Sequence, residues 1–239
     1  MKKLRLDQAL VNRGQVHSRS QAESYIKLGR VKLNEKVVTK PGHAVNPSDK
    51  IELTQKELYV SRAGLKLAGA AEKLHLDFTN KVILDVGSST GGFTDYALRH
   101  GAKRVIAVDV GTHQLHPSLR SDKRIELHEK TDIREFKPAT KPDMVLIDVS
   151  FVPLREILPA VARLSKPSTQ IVALVKPQFE AQEDNINRGV VKNDTIRRRI
   201  LGNFEVWTKR SFVIKAKSDS DISGSHGNRE RFYLLKSHI

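Results

Sequence analysis

The apolar positions of this chain first follow a helical period. In RLDQALVNRG, Leu6, Leu10 and Val11 recur at that spacing and Gly14 stands where the helix would end. Ser18 can cap a second helix through Gln21, Ala22, Tyr25 and Ile26, closed by Gly29. The pattern then shortens to a strand period. Val31, Leu33, Val37 and Val38 flank Asn34-Glu35 as a short hairpin, and KIEL after Pro47 is a further strand. Two small helices feeding a small antiparallel sheet are predicted here.

After the polar stretch TQKEL, YVSRAGLKLAGAAEKLHL reads as an amphipathic helix with Leu65, Ala68, Ala71 and Leu74 inward. From residue 81 onward, strand-sized apolar runs alternate with helical stretches: KVILDVG, GGFTDYALRH, RVIAVDV, RIELHEK, DMVLIDVS, FVPLREILPAVARL, QIVALVK, TIRRRILGNFEVWTKR, SFVIKAK and RERFYLLK. That alternation demands an α/β fold, a mostly parallel sheet with helices on both faces.

The strand ends carry the chemistry. Between the first strand of the alternating segment and its helix lies ILDVGSSTGGFTD, where Gly87, Gly91 and Gly92 let the backbone approach a ligand closely. Asp109 ends the next strand, where a carboxylate can accept from ribose hydroxyls, so the spacing fits a nucleoside-containing cofactor. Asp85, ahead of the turn, argues against a pyrophosphate and for a cationic or amino-bearing ligand. Asp148 ends LIDVS and Lys176 ends VALVK; in a doubly wound sheet both belong at the ligand-binding rim, and Glu230 joins them if the last strand runs antiparallel. Taken alone, Lys176 reads as a strand-end lysine snorkelling to solvent. Arg197 to Arg199 in TIRRRI read as a solvated helix face, and Arg229 and Arg231 as possible pairing partners of Glu230. His17, His113 and His116 lack metal-ligand spacing.

Composition narrows the function classes. The chain has 239 residues, no cysteine and a net charge of +15, divided as +6 over residues 1–60 and +9 over the rest. The charge makes an anionic polymer the leading partner class. Without cysteine, disulfides, zinc-thiolate sites and cysteine nucleophiles are excluded, and with them covalent methylation at pyrimidine C5. No apolar run approaches the length of a membrane span, and the opening MKKLRLDQALVNRG has no apolar signal core, which places the protein in the cytoplasm.

Residues 5–53 resemble the S4 RNA-binding domain through RLDQAL, SRSQAESYI, GRVKLN, KPG and SDKIEL. The resemblance implies an RNA-binding module over residues 1–56, with Arg5, Arg19, Lys27, Arg30 and Lys32 as phosphate contacts. The remainder, residues 57–239, resembles S-adenosylmethionine-dependent methyltransferases of the FtsJ-like kind. With the S4 module in front, the chain resembles the TlyA/hemolysin A family, through YVSRAGLKL, DVGSSTGGFTD, DVSF, LVKPQFE, GVVKN and GNRERF. This implies a Rossmann-like, seven-stranded class I methyltransferase domain whose last strand is antiparallel. It also implies S-adenosylmethionine bound by Asp85, Gly87, Ser88, Ser89, Thr90, Gly91, Gly92, Phe93, Asp109 and Asp132, with Asp132 near the adenine. Lys66, Asp148, Lys176 and Glu230 match the Lys-Asp-Lys-Glu tetrad of RNA ribose 2′-O-methyltransferases, with ribosomal RNA cytidine as the implied substrate. A ribose hydroxyl must shed its proton as it attacks, and a lysine whose pKa is lowered beside another can receive it. Which lysine does so stays open in the sequence; the family favours Lys176.

Three other classes fit less well. Methylation of an exocyclic amine would show an Asn-Pro-Pro-aromatic turn where this chain has DVSF. A membrane-lytic protein, suggested by the hemolysin name of relatives, has no span or amphipathic membrane helix to support it. A catalytically silent RNA-binding assembly factor would retain the fold, and methyl incorporation separates it from an enzyme.

Overall fold

The computed structural model describes residues 4–16, 19–27, 29–54, 59–181, 189–191, 193–224 and 227–238. They form two compact units, Met1–Leu58 and Tyr59–Ile239. Ser18, His17 and Lys192 of GVVKN lie outside the described residues.

In the first unit β1 (Leu4–Arg5) leads into α1 (Leu6–Asn12), and α2 (Arg19–Lys27) follows. Leu6 and Leu10 of α1 and Ala22, Tyr25 and Ile26 of α2 are buried, which is the apolar stripe read from the spacing. β2 (Val31–Leu33) pairs antiparallel with β3 (Lys36–Val37) and β5 (Ile51–Leu53), and β1 pairs with β4 (Ala44–Val45). Asn34 and Glu35 join β2 to β3 with left-handed φ values of 47° and 68°, the primed turn that matches strand twist.

The second unit is a seven-stranded sheet with helices on both faces. α3 (Arg62–Lys73) precedes β6 (Val82–Val86), α4 (Gly92–Arg99), β7 (Arg104–Val108), α5 (Pro117–Arg120) and β8 (Ile125–His128). Then come β9 (Met144–Ile147), α6 (Leu154–Leu164), β10 (Gln170–Val175), α7 (Pro177–Glu180), α8 (Asp194–Thr208), β11 (Phe212–Asp219) and β12 (Arg231–Ser237). The spatial order is β11-β12-β10-β9-β6-β7-β8, and β12 runs antiparallel to both neighbours. The chain starts at the centre, winds outward through β7 and β8, and returns to β9 on the other side of β6. The β6/β9 junction is therefore the switch point where such sheets bind ligands.

Because alternate strand residues face opposite ways, each buried strand feeds two cores. Ile83 packs with Leu67, Ala70 and Ala71 of α3 and Phe93 and Tyr96 of α4. Leu84 belongs to the opposite core, which also takes in Ile157, Leu158 and Val161 of α6 and Leu201 and Phe204 of α8. The inner face of α3 differs slightly from the spacing argument: Gly64, Leu65, Leu67, Ala70, Ala71 and Leu74 are buried, whereas Ala68 is only half-buried. Gly64 is buried because its missing side chain lets α3 approach Tyr59 and the Gly92 carbonyl closely.

One part of the basic helix face is corrected. Arg197 is 5% exposed, not solvated. Its guanidinium donates to Asp219 at 2.6 Å and to the Arg229 carbonyl at 2.9 Å, while Arg198 and Arg199 remain exposed. Arg231 also donates to Asp219 at 2.6 Å. Partial burial alone would raise the Asp219 carboxyl, but hydrogen bonds from Arg231 and Arg197 hold it at about 2. Asp219 thus joins α8, β11 and the start of β12. Replacing it with Ala leaves the buried Arg197 guanidinium without its carboxylate, and, because Asp219 itself is 36% exposed and solvent screens the pair, urea titration is expected to show a loss of about 1 to 2 kcal/mol. A folded-state pKa below the ordinary 3.8 means this contribution is present above that value and disappears as pH falls toward 2. An Asp219→Ala variant as stable as the parent at neutral pH would contradict the hub.

Candidate active site

The sequence puts charged residues at strand ends, and the ladders turn that into proximity. Val175 of β10 is registered against Arg231 of β12, so one step further Lys176 meets the Glu230 side of the turn. Ala173 of β10 is registered against Ile147 of β9, the residue before Asp148. All four tetrad candidates are described, and they form two ion pairs. Lys176 Nζ lies 2.6 Å from Asp148 Oδ1, with both side chains at most 14% exposed. Lys66 Nζ, from α3, donates to Glu230 Oε2 at 2.6 Å, with exposures of 11% and 2%. Arg229 and Arg231 do not take Glu230; they turn to Asp194 and Asp219. Gly224 makes room for Glu230, since a Cβ there would collide with its carboxylate.

Beside the Lys176 pair a chamber of about 140 Å³ is lined by Ser61, Asp85, Ser88, Thr90, Phe93 and Ser150, among others. It adjoins, through Gly87, Ser89, Asp148 and Ser150, a cleft of about 500 Å³ that includes Asp109, Gln114, Asp132, Arg134 and Phe151. Gly87, at φ 78°, is needed twice over: the left-handed backbone favours glycine, and a Cβ would sit 2.8 Å from the Asp148 carbonyl oxygen. Gly92 has a helical backbone, but a Cβ there would lie 2.8 Å from the Gly64 nitrogen, so it lets α4 meet α3. Gly91, at φ 93°, caps α4.

The polar groups of the cavity are unevenly satisfied. Asp109 accepts from the backbone N–H of Ser89 at 2.8 Å and of Gly111 at 2.7 Å, which aims it across the glycine turn. Asp132 is gripped by Arg134, whose hydrogen bonds hold its carboxyl below the ordinary range. Asp85 is fully buried and accepts from the Thr94 hydroxyl at 2.6 Å through Oδ2. Its Oδ1 has no hydrogen-bond partner, and neither has the buried Ser88 Oγ. Burial, with the nearby Asp148 charge adding to it, pushes the Asp85 carboxyl up to about 7. A buried acceptor and a buried hydroxyl without partners fit the amino and carboxylate ends of a bound amino acid, which the methionine part of S-adenosylmethionine supplies.

Sequence reasoning missed three supports. Ser150 Oγ accepts from Lys176 Nζ at 2.8 Å, so DVSF contributes its serine as well as its aspartate. Phe179 contacts Phe151, with ring centroids 5.2 Å apart. Glu180, at the end of LVKPQFE, accepts from the Leu154 backbone N–H at 2.6 Å. These contacts fasten the loop after β9 to the segment after β10, and so hold Asp148 against Lys176. Only pairing chemistry within the quoted motifs could have signalled them.

In the first unit, Arg5 and Arg19 both donate to Asp7, which is fully buried. Each arginine still has about half of its side chain in solvent, at 49% and 53%. Lys27 and Arg30 are exposed and Lys32 half-buried.

The chain matches the FtsJ-like methyltransferase family over residues 59–237 and the S4 domain over residues 4–51. It is 40% identical to the 23S rRNA (cytidine-2′-O)-methyltransferase TlyA of Campylobacter jejuni, covering 79% of this chain and 78% of that one. Identity to the 16S/23S rRNA (cytidine-2′-O)-methyltransferase TlyA of Mycobacterium tuberculosis is 35%, covering 99% and 91%. A solved candidate hemolysin of Streptococcus thermophilus superposes with a TM-score of 0.74 at 38% identity, covering 99% and 89%. Among the described residues no helix is long and apolar enough to cross a membrane.

The state of Asp85 is testable through stability. Its folded pKa of about 7 exceeds the ordinary 3.8, so the folded chain holds the proton more tightly and loses stability as pH rises between those values. In thermal melts Asp85→Asn is expected to match the parent near pH 4, gain on it up to about pH 7, and keep a constant advantage above. A melting difference independent of pH would show that Asp85 is ionised throughout.

Proposed function

This chain belongs to the FtsJ-like methyltransferase family, and on that footing we propose that it methylates the ribose 2′-OH of ribosomal RNA at cytidine, using S-adenosylmethionine, in the cytoplasm. The observation that carries the reading is the two lysine–carboxylate contacts at the strand rim, one of which lines a chamber holding an unpartnered buried carboxylate oxygen and an unpartnered buried hydroxyl. The two TlyA relatives bear that activity in their names.

S-adenosylmethionine supplies a methyl group on a positively charged sulfur, ready for attack by an oxygen nucleophile. Asp85 Oδ1 and Ser88 Oγ would receive its amino-acid end, Asp109 its ribose, and Asp132 with Arg134 would flank the adenine side; the loop from Gly87 through Ser89, Thr90, Gly91, Gly92 and Phe93 would wrap the middle. Lys176, with its amine in the uncharged form, would accept the hydroxyl proton while the methyl carbon bonds to the ribose oxygen and its bond to sulfur breaks, releasing S-adenosylhomocysteine. Asp148 and Ser150 hold its nitrogen in place for that transfer. Lys66, locked by Glu230, orients the hydroxyl and keeps a positive charge beside the developing alkoxide.

Residues 1–56 serve as the RNA grip and residues 57–239 as the catalytic domain. Arg5 and Arg19, braced by Asp7, present pre-oriented guanidinium groups, and Lys27, Arg30 and Lys32 add positive charge. Phosphate contacts of this kind position an RNA without reading its sequence.

Lys176→Ala tests the assignment. S-adenosylmethionine affinity by calorimetry is expected to stay within a few-fold of the parent, while methyl transfer falls at least ~10²-fold, the usual size of a proton-transfer contribution. The sequence reading of Lys176 as a lysine snorkelling to solvent is already overturned by its burial against Asp148, and near-normal turnover in the variant would leave it a structural ion-pair partner with no part in proton transfer.

A further inference from the structure

Beside the rim, α6 and α8 enclose a second groove of about 360 Å³ that the proposed reaction does not use. Arg155, at the start of α6, forms one side; Arg199, Asn203, Val206 and Trp207 on one face of α8, with Arg210 just beyond it, form the other. The face combines charge with uncovered apolar surface. Arg199, Asn203 and Arg210 are exposed, Val206 is 65% exposed, and Trp207 is half-buried. The Arg155 guanidinium lies over the Trp207 ring, 6.0 Å from its centroid.

Among the described residues Glu180 is the acidic residue lining the groove, and it is turned inward. Its carboxylate side chain is 2% exposed, with one oxygen on the Leu154 N–H and the other 4.0 Å from Arg155. The surface that the described residues offer to a ligand is therefore cationic and aromatic. It also begins where the chemistry ends: Arg155 follows the loop that carries Asp148, and Glu180 closes the short helix that follows Lys176.

We propose that this groove holds single-stranded RNA flanking the nucleotide presented to the rim, with a base packed on the Arg155–Trp207 pair and phosphates held by Arg199 and Arg210. The inference rests on the RNA-methylation reading above and adds a second anchoring point to it. Every nucleobase offers a flat π face that stacks on tryptophan or guanidinium, and arginine forks match phosphate oxygens. An acidic peptide would satisfy the arginines but leave Trp207 and Val206 without a counterpart. Flanking bases must lie unstacked for a target nucleotide to reach a recessed site, and such bases are what an aromatic platform captures.

Trp207 is the sole tryptophan of the chain, so its emission reports the groove. Full-length protein is titrated with protein-free ribosomal RNA while emission and filter binding are followed together. Quenching with the same midpoint as binding is expected. The exposed pair Arg199→Glu and Arg210→Glu, combined, should abolish the quench, raise KM for RNA at least ~10-fold and lower the salt slope of binding by roughly 1 to 2, with S-adenosylmethionine affinity unchanged. RNA binding with unchanged emission, together with parental KM in the double variant, would overturn the proposal. So would a variant that binds protein-free RNA normally but ribosomal subunits weakly, because the groove would then take a protein. Quenching by RNA that is never methylated would instead count against the methylation reading and leave the groove in place.

Discussion

An ammonium group set at the end of a buried strand has to be matched by a carboxylate, and most of the catalytic unit is arranged around that requirement. Lys176 would be an expensive ending for β10 without Asp148 from the neighbouring strand, and Lys66, within α3, would be costly to bury without Glu230 from near the far end of the chain. Ion pairs this shielded add little to stability, because the cost of removing both charges from water roughly cancels their attraction. Apolar residues could fill the same space. Two such pairs at one rim are better explained by chemistry that needs charges fixed near a reacting hydroxyl than by folding.

The pairs hold position because their carriers are tied from outside. Asp219 engages the arginines on either side of Glu230, so the turn entering β12 is clamped while the Glu230 carboxylate stays available to Lys66. Glu180 and Ser150 fasten the loop after β9 to the segment after β10. Gly87 lets the glycine turn after β6 lie against the backbone of Asp148, the carboxylate that pairs with Lys176. These contacts are made between residues distant in the chain, so each needs the sheet order β12-β10-β9-β6 to exist first.

That dependence also explains what the sequence made legible. The strand runs, the glycine turn and the acidic strand ends are local patterns, and the fold class with its ligand-binding rim follows from them. Arg197 misled because a run of three arginines in TIRRRI carries no sign of which one points inward; helix phase buries it, and Asp219, twenty-two residues on, makes the burial tolerable. Arg5 and Arg19 were readable as cations, but the buried Asp7 that braces both was not, since a short helix with one aspartate usually displays it. Glu180 lies four residues after Lys176, and its bond to the Leu154 N–H forms only once β9 and β10 lie side by side.

The account stands or falls on where the methyl group goes. Ribosomal RNA incubated with the protein and S-adenosylmethionine, digested to nucleosides and mapped by mass spectrometry, should yield 2′-O-methylcytidine that is absent without the protein. Methyl groups found on bases, or none above background, would contradict a rim built to take a proton from a ribose hydroxyl.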